Sequence, residues 1–253
     1  MAKLEIHQFP CRQDNYGVLV HDPESGRTAA VDAPELKPIE AALAETGWRL
    51  TDIFCTHHHG DHTEAIAPLK AEYGCTVYGP DSDIPELDTP LRDGDSFDFG
   101  GHEVRVLETP GHTLDHIAYV IPDQKLAFAG DTLFALGCGR VFEGTMDQMW
   151  SSLSKLAALP PDTAVYCGHE YTEANARFAL TVEPGNEALQ RRAEDISQRR
   201  SRGEPTLPTT IGLELETSPF LRVKSPEIRE RLGLPNATDA EVFAEVRRRK
   251  DTF

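Results

Sequence analysis

The stretch Asp52-Ile-Phe-Cys-Thr-His-His-His-Gly-Asp-His62 runs an apolar strand candidate directly into His57, His59, Asp61 and His62. Neutral imidazole and carboxylate are ligands that suit Zn²⁺, Fe or Mn, and strand ends are where a rigid scaffold presents functional groups. Alternating positions in a tight loop can send His57 and His59 to one metal and turn Asp61 and His62 towards a second. The competing reading is a solvated polar loop. An expression tag does not fit, because the cluster is internal and broken by Gly60 and Asp61. Three further segments repeat the design of a strand ending in a turn with one ligand type: Val104–Thr109 into Pro110-Gly-His112, Leu126–Ala129 into Gly130-Asp131-Thr, and Ala164–Cys167 into Gly168-His169-Glu. Each has a glycine beside the His or Asp, where the backbone turns sharply. Singly each reads as a cap or turn residue; four in order are a strong signal of a shared site. Two cations held ~3.5–4 Å apart can activate a water near neutral pH and polarise a carbonyl.

These residues need strands to carry them. Strand candidates are Leu4–Phe9, Gly17–His21, Thr28–Val31, Asp52–Thr56, Thr76–Tyr78, Glu103–Glu108, Ile117–Ile121, Lys125–Ala129 and Ala164–Cys167, β-branched or apolar runs bounded by Gly, Pro or Asp. Helices are expected at Pro38–Thr46, Thr63–Tyr73 and Asp147–Ala158, the last capped by Thr145. Interleaved strands and helices imply sheets covered by helices. After His169 the texture becomes helical, at Thr172–Leu180, Glu187–Arg202, Glu227–Leu232 and Asp239–Lys250, with a connector at Gly203–Ile211. The expected division is residues 1–173 as a metal-binding domain and 174–253 as a helical one.

The chain of 253 residues carries a net charge of −17, unfavourable for nucleic-acid binding. Residues 1–173 hold 11 Lys and Arg against 29 Asp and Glu, a net of −18, and residues 174–253 hold 14 against 13, a net of +1. An acidic body suits a cation site, and the Arg-rich end tolerates an anionic ligand. No run approaches the ~20 apolar residues of a membrane span. The opening Met1-Ala-Lys-Leu-Glu-Ile lacks the regions of a signal peptide, so a cytoplasmic protein is expected, with no membrane partner. Five scattered cysteines without a CxxC pair argue against a disulfide framework or zinc knuckle. Cys55, Cys75 and Cys167 read as small buried hydrophobes, whereas Cys138, in Gly-Cys-Gly, is open to exposure.

His57-His58-His59-Gly60-Asp61-His62 resembles the HxHxDH motif of the metallo-β-lactamase superfamily, and the later ligands match His112, Asp131 and His169. The resemblance implies an α+β fold, the αββα sandwich with a small C-terminal helical region. It implies two divalent ions, zinc with iron or manganese as alternatives. His57, His59 and His112 would hold the first, Asp61, His62 and His169 the second, with Asp131 bridging. Catalytic roles then fall to Asp131 and Asp61. By the same pattern His58 and His116 are not ligands, and His7, His21 and His102 read as structural.

Gly137-Cys-Gly-Arg-Val-Phe-Glu-Gly-Thr145, Gly168-His-Glu-Tyr-Thr172, Pro219-Phe-Leu-Arg222 and Arg247-Arg-Arg-Lys-Asp-Thr-Phe253 are similar to the glyoxalase II family. That similarity implies hydrolysis of a glutathione thioester by a monomer, with Arg140, Tyr171, Arg222 and Lys224 as substrate contacts. A thiolate with a pKa of ~8.5 leaves without a strong general acid, so such an enzyme needs little beyond metals and Asp131. Guanidinium groups suit the two glutathione carboxylates. The chain departs from the pattern at Gly60, at Thr63-Glu-Ala65 and at Phe142, which cannot donate a hydrogen bond. Alternatives are a mononuclear iron persulfide dioxygenase, a lactonase or other thioester hydrolase, and a binding module without turnover.

Overall fold

The computed structural model describes residues 2–253, which form two compact units. The first runs to Glu108 and includes Asp115–Gly130; the second comprises Thr109–Leu114 and Asp131–Phe253. In chain order the first unit contains β1 (Glu5–Cys11), β2 (Asn15–His21), β3 (Thr28–Val31), α1 (Leu36–Thr46), β4 (Asp52–Phe54), α2 (Gly60–Thr63), α3 (Ile66–Tyr73), β5 (Thr76–Pro80), β6 (Thr89–Leu91), β7 (Ser96–Phe99), β8 (His102–Glu108), β9 (Ile117–Ile121) and β10 (Leu126–Phe128).

Strands β1 to β6 form one sheet in sequence order, antiparallel from β1 to β3 and parallel from β3 to β6. Strands β7 to β10 form an antiparallel ladder. Successive side chains of a strand point to opposite faces, and β4 uses both. Ile53 enters a core with Ile39 and Leu43 of α1 and Ile66 and Leu69 of α3. Phe54 meets Phe97 and Phe99 of β7 and Tyr119 of β9 at ring centroids of 5.1, 5.4 and 5.4 Å. That aromatic seam joins the two sheets, and the Tyr119 hydroxyl donates to the Cys55 carbonyl at 2.7 Å. Truncating a buried Phe costs about 3–5 kcal/mol, so Phe54 anchors the strand that carries the histidine cluster.

The second unit contains β11 (Leu133–Phe134), β12 (Gly137–Cys138), α4 (Met146–Ala157), β13 (Ala164–Tyr166), α5 (Thr172–Val182), α6 (Glu187–Ser201), β14 (Thr209–Thr210), α7 (Ile211–Thr217), α8 (Pro226–Leu232) and α9 (Asp239–Asp251). Thr145 and Thr238 close capping boxes with Gln148 and Glu241 at the starts of α4 and α9, satisfying amides that a helix start leaves unpaired. No described helix is long and apolar enough to cross a membrane.

Every expected strand and helix is present, with ends shifted by a few residues. Pattern reading passes over β6, which holds a proline, β7, whose alternation lies between Gly-containing turns, and α7, which carries Gly212 and follows the connector. All five cysteines are buried. Cys138 is no exception, because Arg247 covers it, donating to its carbonyl at 2.7 Å with the sulfur 3.7 Å away. Burial pushes the Cys11 thiol up to about 12 and that of Cys75 to about 11, and raises Cys55, Cys138 and Cys167 as well.

At the end of α5 the buried Glu183 accepts from Arg222 at 2.7 and 2.9 Å, from Asn186 at 3.0 Å and from Ser225. Burial disfavours its charge, but these bonds, led by Arg222, hold the carboxyl below its ordinary value of 4.5. A depressed carboxyl stabilises the fold above its unfolded pKa, and this stability is lost as pH falls through the folded value. Glu183→Gln is therefore expected to lower stability by about 2 kcal/mol at pH 7. The difference from the parent should shrink as the pH drops below about 4.5, which thermal melts across pH would check.

Candidate metal centre

Parallel strands β3 and β4 end side by side, Val31 opposite Phe54. Ligands of open sheets gather at such carboxyl ends. The residue after β3 is Asp32, held at φ 57°, a left-handed conformation uncommon for a non-glycine residue. Its carboxylate explains that geometry. Oδ1 accepts the Thr56 amide at 2.7 Å, and Oδ2 accepts the Thr56 hydroxyl at 2.9 Å and meets His62 Nδ1 at 2.8 Å. Thr56 Oγ1, committed as donor to Asp32, accepts from His57 Nδ1 at 3.0 Å. One buried carboxylate thus fixes two imidazoles, directly and through a hydroxyl.

Gly60–Thr63 is a helical turn rather than an open loop, and it carries Asp61 and His62. Ligand atoms of His57 come within 4.8 Å of those of His59 and of His62, and His62 within that distance of Asp61. Asn15 donates to Asp61 Oδ2 at 3.1 Å. His57 and His62 are buried, while His59 and Asp61 are partly exposed. His58 turns to Asp115 at 3.0 Å. His116 is fully buried and stacks on His57 at 4.9 Å. The departures are accommodated locally: a side chain at Gly60 would meet open space, Thr63 Oγ1 donates to the His59 carbonyl at 3.1 Å, and Glu64 pairs with Arg12.

In the second unit Asp131 Oδ2 lies 3.4 Å from His112 Nε2 and 3.3 Å from His169 Nε2. All three residues are 5 % exposed. His112 Nδ1 donates to the Arg140 carbonyl at 2.9 Å, and His169 stacks on Tyr171 at 4.8 Å and 4°. Each unit therefore presents a His/Asp cluster. The donor set fits divalent metal: His57, His62 and His112 each engage Nδ1 with an oxygen, which fixes the tautomer and leaves Nε2 as the ligand atom.

The residues expected to touch substrate are less uniform. The side chains of Arg140 and Lys224 are 65 % and 85 % exposed, and each lies near a carboxylate, Asp251 at 4.0 Å and Asp239 at 3.7 Å respectively. Tyr171 is partly exposed beside His169. Arg222 instead gives two of its nitrogens to Glu183. Phe142 is 62 % exposed, its ring 5.2 Å from that of His112. Lys250, which the sequence offers only as part of an Arg-rich ending, is half-buried, and burial with the nearby cations Arg247, Arg177 and Arg140 lowers its pKa. Asp32 is the other residue that pattern reading misses, although it too follows a strand directly.

The description "Metallo-beta-lactamase superfamily" matches residues 20–169, and "Hydroxyacylglutathione hydrolase C-terminus" matches residues 170–253. The chain is 59 % identical to the hydroxyacylglutathione hydrolase of Rhizobium meliloti (strain 1021), all of both chains being covered. It is 57 % identical to the protein of that name from Brucella anthropi, over 99 % of this chain and 98 % of the other. Among solved structures, ETHE1 from Myxococcus xanthus aligns with a TM-score of 0.68 at 27 % identity, covering 98 % of this chain and 99 % of that one. The fold is the metallo-β-lactamase αββα sandwich with a C-terminal helical region. With both halves matched and the identity running end to end, the chain belongs to the hydroxyacylglutathione hydrolase family of that superfamily.

Proposed function

We propose that this chain is a glyoxalase II-type thioester hydrolase, cleaving S-D-lactoylglutathione to D-lactate and glutathione, the second step of methylglyoxal detoxification. The observation that carries the reading is full-length identity of 59 % to a hydroxyacylglutathione hydrolase. The C-terminal match over residues 170–253 favours it over a persulfide dioxygenase or a lactonase. That match also supports a division near residue 173 between a metal-binding domain and a helical substrate-binding domain.

In this reading His57, His59 and His112 would hold one divalent ion and Asp61, His62 and His169 a second, with Asp131 as a ligand available to both. Zinc is the first candidate, with iron and manganese also suited to the donors. When bound, such ions polarise the thioester carbonyl and make water nucleophilic near neutral pH. The chain supplies the rest. Asp131, facing the Nε2 atoms of His112 and His169, orients the nucleophile. Asp61, held by a hydrogen bond from Asn15 to Oδ2 at 3.1 Å, would be the second catalytic carboxylate. Because the leaving group is a thiolate, no residue has to donate a proton to it.

Glutathione brings two carboxylates, and the positive field around Arg140, Arg177, Arg247 and Lys250 suits them. Arg140, Tyr171 and Lys224 are proposed contacts with exposed or partly exposed side chains. Arg222, the fourth, can meet a ligand carboxylate only while shared with Glu183. The proposal extends to a cytoplasmic monomer, with a net charge of −17 that disfavours nucleic acid.

The decisive experiment is elemental analysis of purified protein joined to hydrolysis assays on glutathione thioesters, coenzyme A thioesters and lactones. Rapid turnover of S-D-lactoylglutathione is expected, and turnover of lactones alone would reject the reading. In that assay Asp131→Ala or His59→Ala should lower kcat by more than about a hundredfold. Asp32→Ala is expected to weaken metal binding about 10–100-fold by releasing His62 and His57, read as metal retained against a chelator. Arg222→Ala should raise KM with little change in kcat; a lowered Tm with unchanged KM would leave the residue a structural clip.

A further inference from the structure

Between Asp131 and Arg140 the chain makes a hairpin of two-residue strands, β11 and β12, Leu133 opposite Cys138. So short a ribbon does not hold its own shape in water. Three buried side chains from three helices grip its backbone. Asn175 of α5 donates to the Ala135 carbonyl at 3.1 Å, Glu214 of α7 accepts the Leu136 amide at 2.8 Å, and Arg247 of α9 donates to the Cys138 carbonyl at 2.7 Å. These residues are 5 %, 0 % and 3 % exposed. Leu136, at φ 57°, has the left-handed backbone that an unrestrained leucine avoids. Gly137 lies so close to Asn175 that a Cβ would overlap its amide. Glu214 is fixed in turn by Arg192 of α6 and by Thr209.

The grip reaches the metal ligands within two residues. Gly139, next after Cys138, passes so tightly over the Asp131 carbonyl that a Cβ would overlap it, and that Cβ would stand 3.1 Å from His112 Nδ1. Arg140 then supplies the carbonyl that accepts from His112 Nδ1. An imidazole held through Nδ1 is only as well aimed as its acceptor, and this acceptor hangs on the hairpin.

We propose that Asn175, Glu214 and Arg247 are positioning residues for the metal ligands His112 and Asp131: the helical region sets their geometry by clamping the β11–β12 hairpin. The inference rests on the preceding reading of His112 and Asp131 as ligands. It gives the C-terminal region a second task besides substrate binding.

The test measures metal rather than turnover. Zinc retained by the purified full-length protein is followed across a chelator series, with the visible spectrum of the cobalt-substituted protein as a second readout and thermal melts for stability. Asn175→Ala is compared with Val182→Ala, which opens a cavity at a buried position of the same helix. Asn175→Ala is expected to release zinc at chelator concentrations about tenfold lower than the parent and to shift the cobalt bands. Val182→Ala should lose stability and keep both properties. Arg247→Met should behave as Asn175→Ala does, with Arg247→Lys, which retains a donor, restoring most of the affinity. Parent-like zinc retention and cobalt spectra in Asn175→Ala and Arg247→Met would overturn the proposal, as would an equal loss in Val182→Ala. A parent that binds zinc yet hydrolyses no glutathione thioester would overturn only the functional reading, since the metal readout needs no substrate.

Discussion

A buried imidazole serves as a metal ligand only if one ring nitrogen is kept free of its proton and aimed, and burial alone decides neither. A hydrogen bond from the other nitrogen decides both. In this chain that bond recurs with three different acceptors: the Asp32 carboxylate for His62, the Thr56 hydroxyl for His57 and the Arg140 carbonyl for His112. Each acceptor must itself be immobile, so the orientation of a few ring nitrogens makes demands far into both units.

The first unit meets the demand with a sandwich. Phe54, locked between sheets by Phe97, Phe99 and Tyr119, fixes where β4 ends, and its register with β3 brings Asp32 beneath Thr56. The strained backbone of Asp32 is tolerated because its carboxylate meets three groups of two residues at once, the amide and hydroxyl of Thr56 and Nδ1 of His62. The second unit has less sheet to work with around Asp131 and substitutes side chains from helices. Asn175, Glu214 and Arg247, buried on α5, α7 and α9, each face a backbone partner in the hairpin, since buried polar groups must have one.

How much of this was legible in the sequence follows from how local each signal is. Strand ends with His or Asp beside Gly are readable because β4, β10 and β13 are short, largely apolar runs, β8 alternates apolar and charged residues, and each stops at a turn. The cluster from His57 to His62 was readable because its members lie within six residues. Asp32 gives no such signal although it follows β3 directly, since a lone aspartate after a strand, without a glycine beside it, looks like any turn residue until His62, thirty positions on, is folded back onto it. Arg247 gripping Cys138 spans 109 residues, and no periodicity reports a contact of that separation. Cys138 illustrates the same limit: its Gly-Cys-Gly setting leaves exposure open, and what buries it comes from the far end of the chain. The helical turn at Gly60–Thr63 was hidden by its glycine and by its length of four residues.

The fate of the five cysteines bears on the chemistry around this protein. Thiol–disulfide exchange requires an accessible thiolate, and here every sulfur is buried and its ionisation pushed upward. Glutathione and its oxidised form exchange only with such accessible thiolates. With all five sulfurs withdrawn from the surface, the fold leaves mixed-disulfide formation no point of attack short of local opening.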